Sequence, residues 1–233
     1  MSSADWMLIA LIVAGLLLIG LFLYWLLVTT EGVYLGRRAV VWLYDVTAHR
    51  YDDIKEYDPA DECLLVTRPV LNALHGVSRP RLLDVATGTG RVPFDLSQSP
   101  YFSGHIVALD DSRRMLDVAR QKLASYQGHV EFVNHSAVPL PFPDEHFDAV
   151  TCLEALEFFP SDAAAVCEMV RVLRPASYLL VTRRCGREGR LFLHRYRSRD
   201  SMRQMLEEAG LRQVQFHPWQ VNYDLVTALK PHS

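Results

Sequence analysis

Four residues define the chemistry open to this chain: Asp84, Gly88, Gly90 and Asp110. Leu82, Leu83 and Val85 form a short apolar run around Asp84 that predicts a buried strand. The chain then breaks into Ala86-Thr87-Gly88-Thr89-Gly90, and a helical pattern starts at Arg91. Glycines in such a turn let the backbone bend tightly and let a ligand approach with no Cβ in the way. The helix start leaves backbone N–H groups unpaired. About twenty residues on, His105-Ile106-Val107-Ala108-Leu109 predicts a second strand, which ends in Asp110. A carboxylate at that tip is placed to accept hydrogen bonds from ribose hydroxyls. The dinucleotide fingerprint G-x-G-x-x-G fails because Pro93 stands where the third glycine would be, which disfavours a dehydrogenase. No Gly-Lys-Ser/Thr follows, so a phosphate loop is excluded. A lone G-x-G also serves as an ordinary strand–helix turn, and the rest of the chain has to decide between the two.

The deciding stretch is residues 134–150, NHSAVPLPFPDEHFDAV. Pro139, Pro141 and Pro143 forbid regular structure there, and Phe147-Asp148-Ala149-Val150 restarts a strand. The D-x-x-x-G-x-G turn at Asp84 to Gly90, with Asp110 beyond it, resembles motif I of the class I S-adenosylmethionine (SAM)-dependent methyltransferases. The run L-P-F-P-[DE]-x-x-F-D-x-V resembles the members of that family related to quinone-biosynthesis enzymes, the methyltransferase type 11-like group. The resemblance extends from about residue 80 to residue 230.

That resemblance implies an α/β, Rossmann-like class I methyltransferase fold: a seven-stranded, mostly parallel sheet with helices on both faces and an antiparallel closing strand. It implies SAM as cofactor. The backbone around Ala86, Thr87, Gly88 and Gly90 would then cradle the methionyl part, and Asp84 would hold that region by hydrogen bonds. Asp110, with Asp111 beside it, would take the ribose hydroxyls. Ser112 and Met115 would border the adenine, with Ser136 and Ala137 on its other side. Leu153 and Glu154 would face the transferring methyl, and Glu154 is the candidate catalytic residue. Tyr44 and Tyr51 are candidates for a segment lying over the cofactor. This chain departs from the family at Ser136, where an Asp is usual, and at Ala176-Ser177, where R-V-L-[KR]-P is usually followed by two glycines. A left-handed turn at Ala176 would be strained, so an altered turn is expected there.

Methyl transfer is an in-line displacement with an activated leaving group, so the protein mainly aligns the nucleophile and excludes water. A base is needed only where the acceptor must lose a proton. Glu154, Glu157, His194 and Tyr51 are the groups that could serve. No Asn-Pro-Pro-Tyr signature of amino-group methyltransferases is present, and the acceptor atom is not legible.

The elements that must position these residues alternate strand and helix from residue 80 to 230, which predicts an open sheet with its ligand at the carboxyl ends of the strands. A helix over 59–76 carries Leu64, Leu65, Val70, Leu71 and Leu74 on one stripe, with Gly76 as its stop. Ser112 and Ser161 are placed to cap the helices that follow them. Ser201 and Gln204 read as the capping box of a helix that runs to Ala209 and stops at Gly210. Gln213–Phe216 and Val221–Leu229 read as the closing hairpin.

The chain has 233 residues, half of them apolar, a net charge of −3 and a pI near 6.3. Nothing in that balance suggests a nucleic-acid partner. Four cysteines without C-x-x-C spacing and nine dispersed histidines predict neither a disulfide framework nor a metal site. The apolar excess lies in residues 6–28, which carry no charge. As a helix that stretch spans about 34 Å, enough for a bilayer core of about 30 Å. The absence of a basic start and of a small-residue cleavage site argues against a cleaved signal peptide. Asp5 precedes the span while Arg37 and Arg38 follow it, which predicts a single-pass anchor with the C-terminal domain on the cytoplasmic side.

The domain reading is therefore an anchor over 1–30, a juxtamembrane or lid segment over 31–58, and a methyltransferase domain over 59–233. Residues 33–50 mix apolar and basic side chains and read either as a helix on the membrane surface, with Trp42 and Tyr44 embedded, or as one packed on the domain. Seven arginines between 183 and 199 read either as a solvated loop or as a contact for acidic headgroups or an anionic substrate. An anchor beside such a domain suits a small-molecule or lipid acceptor, a quinone precursor being one. A protein methyltransferase and a non-catalytic scaffold remain the alternatives.

Overall fold

The computed structural model describes residues 2–55, 58–126 and 128–232. Its strands are β1 (Arg81–Val85), β2 (His105–Asp110), β3 (Val130–Asn134), β4 (Phe147–Cys152), β5 (Leu173–Arg184), β6 (Arg212–Gln220) and β7 (Tyr223–Leu229). They form one sheet in the order β3-β2-β1-β4-β5-β7-β6. The first five run parallel; β7 is antiparallel to β5 and β6 antiparallel to β7. The central strands are apolar in continuous runs because both faces are covered. Successive side chains alternate between the faces. Leu83 and Val107 thus enter one core with Val166 and Met169, while Leu82 and Ile106 enter the other with Val70 and Leu96.

The chain leaves β1 towards β2 and β3, then crosses back to lay β4 on the other side of β1. The reversal opens a crevice at the carboxyl ends of β1, β2 and β4. The helices around the sheet are α1 (Ser3–Tyr24), α2 (Arg37–Thr47), α3 (Tyr51–Lys55), α4 (Pro59–Glu62), α5 (Arg68–Ala73), α6 (Arg91–Gln98), α7 (Arg113–Lys122), α8 (Asp162–Val172), α9 (Gly186–Gly189) and α10 (Arg199–Glu208). A wider turn over Cys63–Thr67 joins α4 to α5, so the apolar stripe expected over 59–76 is one bent helical stretch.

Ser112 and Ser161 cap α7 and α8 as expected, each accepting the N–H three residues on at 3.1 Å. Two local expectations are corrected. The cap of α10 is Ser198, whose hydroxyl accepts the Ser201 N–H at 3.1 Å, and Gln204 bonds forward to Glu208 at 2.8 Å. Ser198 is preferred because the helix starts one turn earlier than the Ser201 box allows. At Ala176 the left-handed turn persists, with φ +60. Its strain, about 1–2 kcal/mol for a residue with a Cβ, is tolerated because β5 is pinned on either side, Leu173 to Phe147 and Tyr178 to Ala149.

The proline-rich loop before β4 is held largely by Arg171 and Glu168, the latter accepting the Leu140 N–H at 2.7 Å. Arg171 donates to the Leu140 and Phe142 carbonyls at 3.0 and 2.8 Å and pairs with Glu168 and Asp144. Asp148 accepts the Arg81 N–H and the Arg174 guanidinium, fastening β4 to the start of β1.

At the other end of the chain, α1 and the turn after it make a 27-residue stretch, Ser3–Thr29, long and apolar enough to cross a membrane. No residue of α1 is buried. The stretch passes straight into the domain: Thr30 is fully buried and Glu31 accepts the Tyr44 hydroxyl at 2.6 Å.

Candidate active site

The crevice holds a cavity of about 350 Å³, within the size range of small-molecule sites. Ala86, Gly88, Asp110, Asp111, Ser112 and Ser136 line one part; Val40, Val41, Tyr44, Val138, Phe158 and Phe159 line an apolar part. A narrow recess beside it is bounded by Asp84, Thr87, Gly88, Arg91 and Glu154.

The turn after β1 is built from left-handed residues: Ala86, Gly88 and Gly90 have φ +56, +56 and +78. The two glycines do different work. A Cβ at Gly88 would have open space up to the Tyr51 ring 3.9 Å away, so this backbone is bare toward the cavity. A Cβ at Gly90 would stand 3.0 Å from Ala119 and Leu123, so Gly90 lets α7 pack against the turn. Asp84 is buried and accepts the hydroxyls of Thr87 and Thr151, both at 2.6 Å, tying the turn to β4. Burial pushes its carboxyl up to about 6, against the pull of those two hydroxyls.

Asp110 ends β2 as the sequence predicts. It accepts the Gly88 N–H and the Ser112 N–H, both at 2.8 Å, which aims its carboxylate across the crevice mouth. Burial raises it to about 6 in spite of those two donors.

Glu154 follows β4 with φ +53 and is almost fully buried. Its carboxylate binds Lys55 at 2.8 Å and Arg91 at 3.1 Å. Burial alone would raise its pKa; the two cations outweigh that and hold it below the usual carboxylate range. Arg91 also faces Glu62 at 3.5 Å, whose carboxyl burial raises to about 7.

Residues 31–55 form a strap across this site, and its polar contacts land on the candidate cofactor residues Asp111 and Ser112 and on Thr89 and Lys122 near them. Arg37 forms a two-pronged pair with Asp111. Asp45 accepts the Ser112 hydroxyl at 2.6 Å, and Asp52 accepts Thr89 and pairs with Lys122, both at 2.5 Å.

The structure thus gathers Ala86, Gly88, Asp110, Asp111, Ser112, Ser136, Ala137, Leu153 and Glu154 around the cavity, with Tyr44 and Tyr51, and puts Asp84 and Thr87 at the recess. Met115 is 1% exposed and lies behind the wall, as does Gly90. Glu157 and His194 fall outside this cavity; Glu157 is buried, accepting the Tyr223 hydroxyl at 2.6 Å and Arg184 at 3.2 Å.

Arg37, Val40, Val41, Phe158 and Phe159 were not anticipated. The four apolar residues come from segments marked by apolar spacing and Arg37 from a basic pair, and contact across the chain is what brings them to the cavity. The arginine-rich stretch is not solvated throughout: five of its seven arginines are engaged within the domain, while Arg187 and Arg190 are exposed. Arg183 and Arg199 pair with Asp224, Arg184 with Glu157 and Arg197 with Asp162, while Arg195 donates to the Glu157 and Phe159 carbonyls.

These features fit an adenosyl group carrying an amino-acid tail. There is a carboxylate at the crevice mouth, a bare glycine backbone, and a recess with both an acid and a cation. Residues 83–181 match a family model described as a methyltransferase domain. The chain is 31% identical over 169 residues to a demethylmenaquinone methyltransferase of Bacillus licheniformis, covering 59% of this chain and 72% of that protein. It is 42% identical over 111 residues to a ubiquinone/menaquinone biosynthesis C-methyltransferase, UbiE, of Pseudomonas paraeruginosa, over 46% of this chain and 43% of the relative. The match thus spans less than half the length of that relative. Among solved structures, the [4+2]-cyclase SpnF has TM-score 0.68 at 19% identity, covering 84% of this chain and 96% of the other. A SAM-dependent methyltransferase from Aquifex aeolicus has TM-score 0.62 at 22% identity, over 80% and 98%. At these identities the two structures are alike in fold.

Proposed function

The chain belongs to the SAM-dependent methyltransferase family with S-adenosylmethionine as cofactor, and from that premise we propose that it methylates a lipophilic small molecule at a membrane surface. The observation that carries this reading is the composition of the cavity: a cofactor-type polar part continuous with a wall of Val40, Val41, Val138, Phe158 and Phe159. SAM supplies an activated methyl on a sulfonium. The residues of the chain do the rest. Asp110 would bind the ribose hydroxyls, with Asp111 and Ser112 at the rim, and Ser136 and Ala137 would border the adenine. Ala86, Thr87 and Gly88 offer backbone to the methionyl part, and Asp84 keeps that turn in place. Met115 and Gly90 act from behind, through packing.

Glu154 stands next to the methyl position, but a carboxylate held ionised by two cations is a weak proton acceptor. Its part in this reading is to fasten Lys55 of the strap and orient Arg91. The apolar wall excludes water and aligns the acceptor, which is most of what methyl transfer requires. The quinone methyltransferases among the relatives support an acceptor of the quinone-precursor type. The apolar stretch Ser3–Thr29 supports a membrane location. The charge asymmetry between Asp5 and the arginine pair Arg37 and Arg38 supports a cytoplasmic domain.

The first test is SAM binding by calorimetry, with Asp110→Ala as control. Binding that the substitution abolishes is expected; a folded wild-type chain that takes up no SAM would overturn the reading. With binding in hand, labelled methyl should appear in the organic extract of membranes supplied with a prenylated quinol. Label found in protein would point to a protein methyltransferase.

A further inference from the structure

We propose that the outer face of α2 is a lipid-contact surface, lying in the headgroup interface of an anionic bilayer while its inner face walls the cofactor cavity. The proposal rests on the membrane reading of α1 given above. Arg38, Trp42 and Val46 follow at four-residue spacing and share one face of the helix. Leu35 precedes them in the turn before α2. Trp42, Val46 and Leu35 are 61%, 56% and 52% exposed. Arg38 is exposed and makes no ion pair among the described residues. The opposite face carries Val40, Val41 and Tyr44, which line the cavity. An apolar face on each side of a short helix is unusual when only one side meets the protein.

The position of the helix says what meets the other side. Its middle is pinned to the foot of the apolar stretch. A Cβ at Gly32 would stand 2.7 Å from the Leu43 side chain, and the Tyr44 hydroxyl donates to Glu31. The helix therefore crosses the point where the chain would leave the bilayer, within about one helix diameter of it. The loop after α9 is held to the same foot. The Trp25 indole N–H donates to the Leu191 carbonyl at 3.3 Å, and the Tyr34 hydroxyl to the Leu193 carbonyl at 2.9 Å. Leu191 and Leu193 are themselves 43% and 53% exposed. A tryptophan, aliphatic side chains and an unpaired arginine at the foot of a span match the chemistry of the headgroup region, where aromatic rings and cations reside.

The consequence is that the wall of the cofactor site has a lipid side. Arg37, next to Arg38, holds Asp111 at the cavity rim, so moving α2 off the bilayer and opening the rim are one motion.

The test uses the full chain in vesicles of equal parts phosphatidylcholine and phosphatidylglycerol, with and without bromine on the upper acyl carbons. Trp42→Phe changes an exposed ring only. The emission lost in that variant, which belongs to Trp42, is expected to be quenched by more than half by the brominated lipid. Quenching of the remaining tryptophans with none of the Trp42 component would overturn the proposal and leave the anchor standing. No quenching in either protein would remove the anchor and the proposal together. In a second arm, Arg38→Glu should reduce Trp42 quenching in the phosphatidylglycerol vesicles and change it little in pure phosphatidylcholine. Equal behaviour in both would overturn the anionic part.

Discussion

Gly88 and Gly90 are two residues apart in one turn, yet they should fail in different ways. Gly90→Ala introduces a Cβ 3.0 Å from Ala119 and Leu123 at φ +78. Left-handed strain and overpacking together should lower stability by about 2–4 kcal/mol, read by denaturant unfolding. Gly88→Ala carries the strain alone, about 1 kcal/mol, but puts its methyl into the cofactor site, so its main effect should be lost SAM affinity. A second prediction concerns pH. Asp84 and Asp110 have an ordinary value of 3.8 and sit near 6 in the fold. Carboxyls raised in this way add stability that is complete below about pH 4 and is lost as pH rises through about 6. Ribose binding has the opposite sign, because an ionised Asp110 is the stronger acceptor. SAM affinity by calorimetry should therefore fall as pH drops from about 7 to about 5, and Asp110→Asn should flatten that profile. The places of Asp84, Gly88 and Asp110 around the cavity and its recess were legible in the sequence because they hold fixed local positions at strand ends and in the turn. Met115 and Gly90 fall outside the cavity lining because their own side faces the packed interior, although their turn neighbours line it. The pairing of Glu154 was hidden, since Lys55 lies far away in sequence and nothing local marks it.

Among the elements, the strap formed by α2 and α3 governs the site. Its latch is the Lys55–Glu154 pair, with Lys55 24% exposed at its side chain, which places the pair between surface and buried bridges in strength. Lys55→Ala should release about 1 kcal/mol of closure and speed SAM dissociation about fivefold, measured by stopped-flow displacement. Glu154→Gln should cost more, about 2 kcal/mol of stability, because it weakens the charged contacts to Lys55 and Arg91 together, leaving Arg91 with Glu62. A double-mutant cycle between positions 55 and 154 separates the latch from the Arg91 contact. The sheet and its helices were readable from periodicity and turn residues, including the caps at Ser112 and Ser161. The start of α10 was misread because Ser198 and Ser201 are both good caps three residues apart, and tertiary packing chooses between them. At Ala176 the expectation assumed that side-chain strain decides the turn; pairing with β4 on either side decides it instead. The reading of α2 as either a surface helix or a packed one treated the two faces as exclusive, whereas Val40 and Tyr44 face inward and Trp42 outward.

For the whole molecule, the feature that matters is the junction at Thr30 and Glu31. The apolar stretch enters the domain with no flexible spacer: Thr30 is buried, its hydroxyl is bonded to the Trp25 and Leu26 carbonyls at 3.1 Å, and Glu31 is held by Tyr44. A tethered domain on a loose linker samples many orientations, and its effective concentration for a membrane ligand falls with linker length. On the proposed membrane reading the orientation is fixed by this junction, and the crevice would meet acceptors that arrive by lateral diffusion in the leaflet. For such a protein the relevant concentration is molecules per unit area of bilayer. Adding inert lipid at constant total acceptor should slow turnover in proportion to the added area. Restoring the acceptor-to-lipid ratio should restore the rate, however dilute the suspension. A freely soluble acceptor would make the rate indifferent to lipid. On that reading the rigid junction would turn a search through volume into a search across a surface.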